Sequence, residues 1–169
     1  MFATIECHKI MNILFLCTGN SCRSIMAEAI FNHKAVSLAA HGYSAGAFPN
    51  GIVHPIALQV LDKADYSVEG LESKSWDMFS GDNAPVMNMV ITLCDEAQGE
   101  MCPVLTEDII SAHWSIPDPA YFEASQAQKL AEFQRIMRLI EERIERLIQL
   151  LGHITPGQDL AAELAAIGS

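Results

Sequence analysis

Hydrophobic positions along this chain alternate between short unbroken runs and longer stretches with helical spacing. The run Ile13-Leu14-Phe15-Leu16, inside 12–17, leaves no polar position on either face, which suits a central parallel strand covered on both sides. A helix-like stretch follows over 21–34. Residues 41–45 predict a second strand, 46–51 a loop and 54–63 a second helix. Residues 66–87 are polar with Gly and Pro and predict one short helix around Trp76. A third strand is predicted over 88–93, running directly into Cys94, and a short fourth over 112–116, ending at Pro117-Asp118-Pro119. The clearest helix spans 123–151, where Leu130, Phe133, Met137, Ile140, Ile144, Leu147 and Leu151 recur at helical spacing. Glu141, Glu142, Arg143, Glu145 and Arg146 are its solvated face, and Gly152 ends it.

This alternation predicts a single-domain α/β fold: a doubly wound four-stranded parallel sheet flanked by helices, with a long C-terminal helix. Ligands in such folds bind at the carboxyl ends of the strands. The domain is expected over 11–152. Residues 1–10 read as a flexible extension, and 153–169 as a small-residue tail able to form one more loose helix.

The chemistry sits at the first strand end, in Cys17-Thr18-Gly19-Asn20-Ser21-Cys22-Arg23-Ser24, a C-x5-R loop between strand and helix. A strand feeding straight into a helix leaves the first helical amides pointing at the connecting loop, and with the helix dipole they form an anion site. Gly19 and Asn20 suit the backbone angles that let successive amides converge. Arg23 supplies a planar fork matching two oxygens of a tetrahedral oxyanion. Cys17 sits at the base, where the same groups predict a lowered thiol pKa. The plainer alternative, a buried core cysteine and a surface arginine, does not explain strand, Gly-Asn turn, Arg and helix start in this order.

Cys17, Cys94 and Asp118 each follow a predicted strand, so all three are expected over one edge of the sheet. Asp118 between two prolines suits a general acid on a stiff loop; the alternative is a turn residue. Cys94 and Cys102 flank a polar, Gly-containing segment expected to be mobile. Two thiols there suggest a relay of disulfide exchange beside an activated thiol; the alternative is two incidental cysteines.

Composition narrows the picture further. The net charge of −11, with only 10 Lys plus Arg, disfavours nucleic acid and membrane surfaces as partners. No apolar run approaches the ~20 residues that span a bilayer, and no secretory signal is read at the start. Five cysteines, an odd number, argue for a reducing, cytoplasmic setting and active thiols. Neither the cysteines nor the six histidines show metal-site spacing, so no metal is expected.

Together with Met26-Ala27-Glu28, Tyr43-Ser44-Ala45-Gly46, Ser73-Lys74-Ser75-Trp76-Asp77, Thr92-Leu93-Cys94, Cys102-Pro103-Val104 and His113-Trp114, these motifs make 11–150 resemble the arsenate reductases built on the low-molecular-weight protein tyrosine phosphatase fold. The Cys94 and Cys102 pair points to the reductases, since the related phosphatases do not need it. The resemblance implies that Cys17 attacks arsenate held by the loop amides and Arg23. It further implies that Ser24 hydrogen-bonds the Cys17 sulfur and that Asp118 protonates the leaving oxygen. Cys94 then attacks Cys17 and Cys102 attacks Cys94, leaving a disulfide that thioredoxin or a glutathione/glutaredoxin system reduces. A Cys17–Cys22 disulfide is the alternative first resolving step. Phosphate and sulfate are the expected competing anions, no cofactor is expected to be bound, and a monomer is expected. Some family members hold potassium through residues matching Asn20, Glu28 and Ser44; here Lys74 stands close by and the acidic partner near Ser75 is missing, so none is expected. The other readings are a low-molecular-weight phosphatase and, in a different class, a non-catalytic oxyanion or redox sensor.

Overall fold

The structure, a computed structural model, describes residues 10–94 and 108–169. Four strands, β1 (Met11–Cys17), β2 (Ala40–Gly46), β3 (Met89–Thr92) and β4 (Ile110–His113), form one parallel sheet in the order β2-β1-β3-β4. Among the described residues four α-helices accompany it: α1 (Arg23–Lys34), α2 (Pro55–Lys63), α3 (Gln126–Gly152) and α4 (Leu160–Gly168). The expected short helix around Trp76 is a 3-10 turn, Trp76–Phe79.

Successive strand side chains point to opposite faces, and β1 shows why its pattern has no polar break. Ile13 and Phe15 join the larger core cluster with α1, α2 and α3, while Leu14 and Leu16 join a smaller one with Phe79 and Met87. β3 divides likewise, with Met89 and Ile91 on one side and Val90 on the other. Helix α3 starts three residues later than its apolar pattern predicts because Ser125 caps it: the Ser125 hydroxyl accepts from the Gln128 amide and the Gln128 side chain accepts from the Ser125 amide. Its buried stripe is Phe133, Ile136, Met137, Ile140, Ile144 and Leu147, each buried side chain contributing roughly 1.5–3 kcal/mol.

Two expectations change. The fourth strand runs over Ile110–His113 instead of 112–116. Trp114 and Ile116 are buried and still donate to Thr92 O at 2.8 Å and Leu93 O at 3.1 Å, so the apolar signal belongs to the irregular continuation beside β3. The tail does form a helix, α4, but it is docked, with Leu164 and Ile167 buried in the larger cluster. Residues 1–9 and Cys102 lie outside the described residues. Among the described residues no helix is long and apolar enough to cross a membrane.

Candidate active site

The loop from Cys17 to Arg23 closes over the carboxyl end of β1 and takes its shape from the segment after β2. Thr18 O accepts from the Phe48 amide at 2.9 Å, Gly19 O from Asn50 at 2.9 Å, and Ser21 O from His54 at 2.8 Å. Holding these carbonyls outward turns the opposite, N–H edges of their trans peptides inward. Asn20 is the residue in the left-handed region, at φ 42°, rather than Gly19. Gly19 is only tight for space, since a Cβ would stand 3.0 Å from the exposed Asn50 side chain, which would have to give way by a few tenths of an ångström. Gly46 is more restrictive: a Cβ there would meet Thr18 O at 2.6 Å, so the end of β2 must lack a side chain for the loop to close. Cys22 occupies the N-cap of α1 without a side-chain capping bond, so its side chain does not compete for the first amides.

The nucleophile candidate is buried at the floor. Cys17 Sγ lies 2.9 Å from Ser24 Oγ, which also accepts from Asn20 Nδ2 at 2.8 Å. Asn20 Nδ2 donates to Ser44 Oγ at 3.0 Å, and Asn20 Oδ1 accepts from the Lys74 amide at 2.7 Å. Ser44 in turn donates to Glu28, whose Oε2 lies 3.4 Å from Lys74 Nζ. The positive charge beside Glu28 is therefore the chain's own ammonium, and one hydrogen-bonded network runs from it to the Cys17 sulfur. Asn20, Glu28, Ser44 and a nearby Lys74 came with the resemblance; the structure adds that the Lys74 amide meets Asn20 and its ammonium meets Glu28.

Burial is the largest influence on Cys17 and pushes its thiol above the ordinary value. The Ser24 hydroxyl, the Ser24 amide and the Arg23 guanidinium oppose that shift without cancelling it. The lowered pKa expected from the loop is thus corrected: the cradle is dry as well as positive, and dryness wins. Cys22 goes further, pushed up to about 12 by burial and then by the Asp118 carboxylate. Raised values keep the proton on: Cys22 should stay a thiol from neutral pH until close to 12, while Cys17 should ionise above the ordinary cysteine range of about 8.5. Ultraviolet thiolate titration of the wild type against Cys17→Ser and Cys22→Ser checks both; a Cys17 thiolate already formed at neutral pH contradicts this balance.

Arg23 does not point its fork only at the loop. Nη2 lies 2.6 Å from Asp118 Oδ2 and Nη1 donates to Ile116 O at 3.0 Å. Nε is buried with no hydrogen-bond partner among the described residues. Burial works to lower the Arg23 pKa, but Asp118 and then the neighbouring thiols outweigh it and hold the guanidinium firmly charged. Asp118 Oδ1 accepts from the Ala120 amide at 2.9 Å and stands 3.6 Å from Cys22 Sγ. The prolines flank it as expected, although it follows β4 by five residues rather than directly.

Cys94 is buried rather than on an open loop, and with Cys17 it forms a separate two-residue cluster. The Thr18 amide donates to Cys94 Sγ at 3.3 Å, and Thr18 Oγ1 lies equally close. The structure thus brings together Cys17, Thr18, Gly19, Ser21, Cys22, Arg23 and Asp118 around one cleft of about 630 Å³, with Cys94 packed against its floor. Exposed Phe48 and Tyr121 line the mouth. Sequence reasoning missed His54, which ties Ser21 to the start of α2 through its backbone and caps that helix through Nδ1, accepting from Ile56 at 3.2 Å. Its place before Pro55 was the available signal. Among the described residues no group of three or more His, Cys, Asp or Glu is placed to hold a metal ion.

Residues 12–157 match the low molecular weight phosphotyrosine protein phosphatase family. An arsenate reductase of Bacillus licheniformis is 36% identical over 137 residues, covering 81% of this chain and 94% of that protein. A solved arsenate reductase in its phosphate-binding state superposes with a TM-score of 0.66 at 27% identity, covering 83% of this chain and 98% of that one. A low molecular weight protein tyrosine phosphatase from T. tengcongensis superposes with a TM-score of 0.64 at 25% identity, covering 82% and 98%.

Proposed function

The chain belongs to the low molecular weight phosphotyrosine protein phosphatase family, and from that membership we propose that it reduces arsenate to arsenite through a relay of cysteine thiols. The observation that carries the reading is the pairing of Cys17, in an oxyanion loop, with a second buried thiol, Cys94. Phosphoryl transfer needs only the first of these. The arsenate reductase of Bacillus licheniformis, similar over most of both chains, supports the same choice.

The loop amides, the start of α1 and Arg23 bind the oxyanion, with Nε the donor ready to receive an oxygen. Drawing Arg23 toward the anion loosens its hold on Asp118 and frees that carboxyl to face the leaving oxygen. Cys17 attacks arsenic, an As–S bond forms and an As–O bond breaks. The Cys17 thiol proton passes to the Asp118 carboxylate and from there to the departing arsenate hydroxyl, which leaves as water. Cys94 then attacks the Cys17 sulfur. The S–S bond forms, the As–S electron pair stays on arsenic, and arsenite leaves after taking up protons. Two thiols have supplied the two electrons. Cys102 attacks Cys94, frees Cys17 and leaves a Cys94–Cys102 disulfide for an external dithiol, thioredoxin or the glutathione/glutaredoxin system.

Cys94 is assigned the first resolving step over Cys22 because Cys94 packs on Cys17, whereas the Cys22 thiol is turned to Asp118. A phosphatase would use Cys17, Arg23 and Asp118 in the same way, and weak hydrolysis of aryl phosphomonoesters fits the same cleft. Arsenite production by the purified protein separates the readings. Repeated turnover with thioredoxin, or with glutathione plus glutaredoxin, is expected; phosphomonoester hydrolysis without arsenite production under either reductant would make the protein a phosphatase.

A further inference from the structure

The family match ends at residue 157, and α4 (Leu160–Gly168) lies wholly beyond it. Nevertheless α4 packs along β4 and against α3, with Leu164 and Ile167 in the core. Just past β4 it meets Trp114, which is fully buried and whose indole Nε1 donates to Leu164 O at 2.9 Å. Gly168 approaches so closely that a Cβ would stand 2.5 Å from Trp114 Cδ1 and 2.7 Å from His113 O.

Trp114 opens the segment that carries the other half of the active site. Ile116, two residues on, offers its carbonyl to Arg23 Nη1 at 3.0 Å, and Asp118 pairs with Arg23 Nη2 at 2.6 Å. Between them Ser115 O accepts from Arg143 of α3 at 3.1 Å. We propose that α4 is a positioning element of the active site, clamping Trp114 so that Ile116 and Asp118 meet Arg23 in one fixed geometry. This rests on the roles given to Arg23 and Asp118 above.

The clamp has a physical reason. β4 stands at the end of the sheet, is four residues long and is only partly buried, and the pairing that continues past it, from the Trp114 and Ile116 amides to Thr92 O and Leu93 O, stops two residues short of Asp118. Beyond it, Pro117 and Pro119 fix φ on either side of the acid, so a displacement at Trp114 is passed on to Asp118 instead of being absorbed. Proton transfer tolerates little of this: misplacement by about 1 Å can cost about 10²-fold in rate. The loop of residues 18–23 lies between β1 and α1 and is held through its carbonyls by the 46–54 segment, so the clamp should govern the acid more than the cradle.

Two full-length variants test it. Leu164→Asp with Ile167→Asp undocks α4; Trp114→Phe keeps a ring but removes the indole N–H. The readouts are the single-turnover rate of arsenate-dependent Cys17 consumption, phosphate protection of Cys17 from alkylation, and hydrogen exchange at the Ile116 and Ala120 amides. The undocked protein should react about 10- to 100-fold more slowly and Trp114→Phe about 3- to 10-fold more slowly, with phosphate protection changed less than about 3-fold and faster exchange at both amides. Wild-type rates and exchange in a folded undocked variant would overturn the clamp. Should that variant not fold, Trp114→Phe decides alone, on the same two readouts. If the wild type consumes no thiol with arsenate, the reductase reading fails, while the exchange arm still decides whether α4 holds the Asp118 segment.

Discussion

Asp118→Asn slows the attachment of arsenate to Cys17 by about 10²–10⁴-fold, the range for loss of a positioned general acid. The loss is confined to chemistry because the proton is needed only as the oxygen departs, so the ground-state complex does not depend on it. Anion affinity should hold or rise slightly, since Asn no longer competes for the Arg23 guanidinium that Asp118 contacts at 2.6 Å. The Ala120 amide that donates to Asp118 Oδ1 can donate to the Asn oxygen as well, so the loop keeps its turn. Rapid-quench measurement of the first step, with phosphate protection of Cys17 as the affinity probe, separates the terms. Weakened anion binding with an unchanged first step would make Asp118 a loop-forming residue and nothing more.

A larger effect is expected from Cys94→Ser, which should abolish repeated turnover, a loss of about 10³-fold or more because the covalent intermediate has no route onward. Arsenate still attaches to Cys17, since the cradle, Arg23 and Asp118 are untouched, but no intramolecular disulfide follows. The substitution is nearly isosteric, and the Thr18 hydroxyl and amide that now meet the Cys94 sulfur at 3.3 Å can hydrogen-bond a serine oxygen. Any hydrolysis of an aryl phosphomonoester should survive, because water completes that reaction. Sustained arsenite production by Cys94→Ser with thioredoxin would remove the relay from the mechanism.

What the chain reveals by itself follows the range of the interactions involved. The oxyanion loop is one continuous segment between a strand apolar on both faces and a helix, so Cys17 through Ser24 were legible together. α3 was legible because its apolar stripe repeats over many turns. The fourth strand was placed two residues late because its true residues, Ile110–His113, are partly polar at the end of the sheet, while the buried Trp114 and Ile116 lie just past it. α4 reads as loose because four of its nine residues are alanine; the partner that docks it is Trp114, 50 positions from Leu164. The direction of the Cys17 pKa was misjudged for a related reason. Local geometry announced the positive groups, but burial came from elements distant in sequence, among them Cys94. The engagement of Arg23 with Asp118 and Ile116 is likewise a meeting of distant segments that spacing does not encode.

The central claim is that arsenic is reduced by Cys17 and Cys94 acting in sequence, with Cys102 third. Mass spectrometry of Cys102→Ser after one equivalent of arsenate, with free thiols alkylated, reads the thiol states directly. One arsenite released per protein and a Cys17–Cys94 disulfide is the predicted result; a Cys17–Cys22 disulfide, or no arsenite with every thiol still free to alkylate, would contradict it.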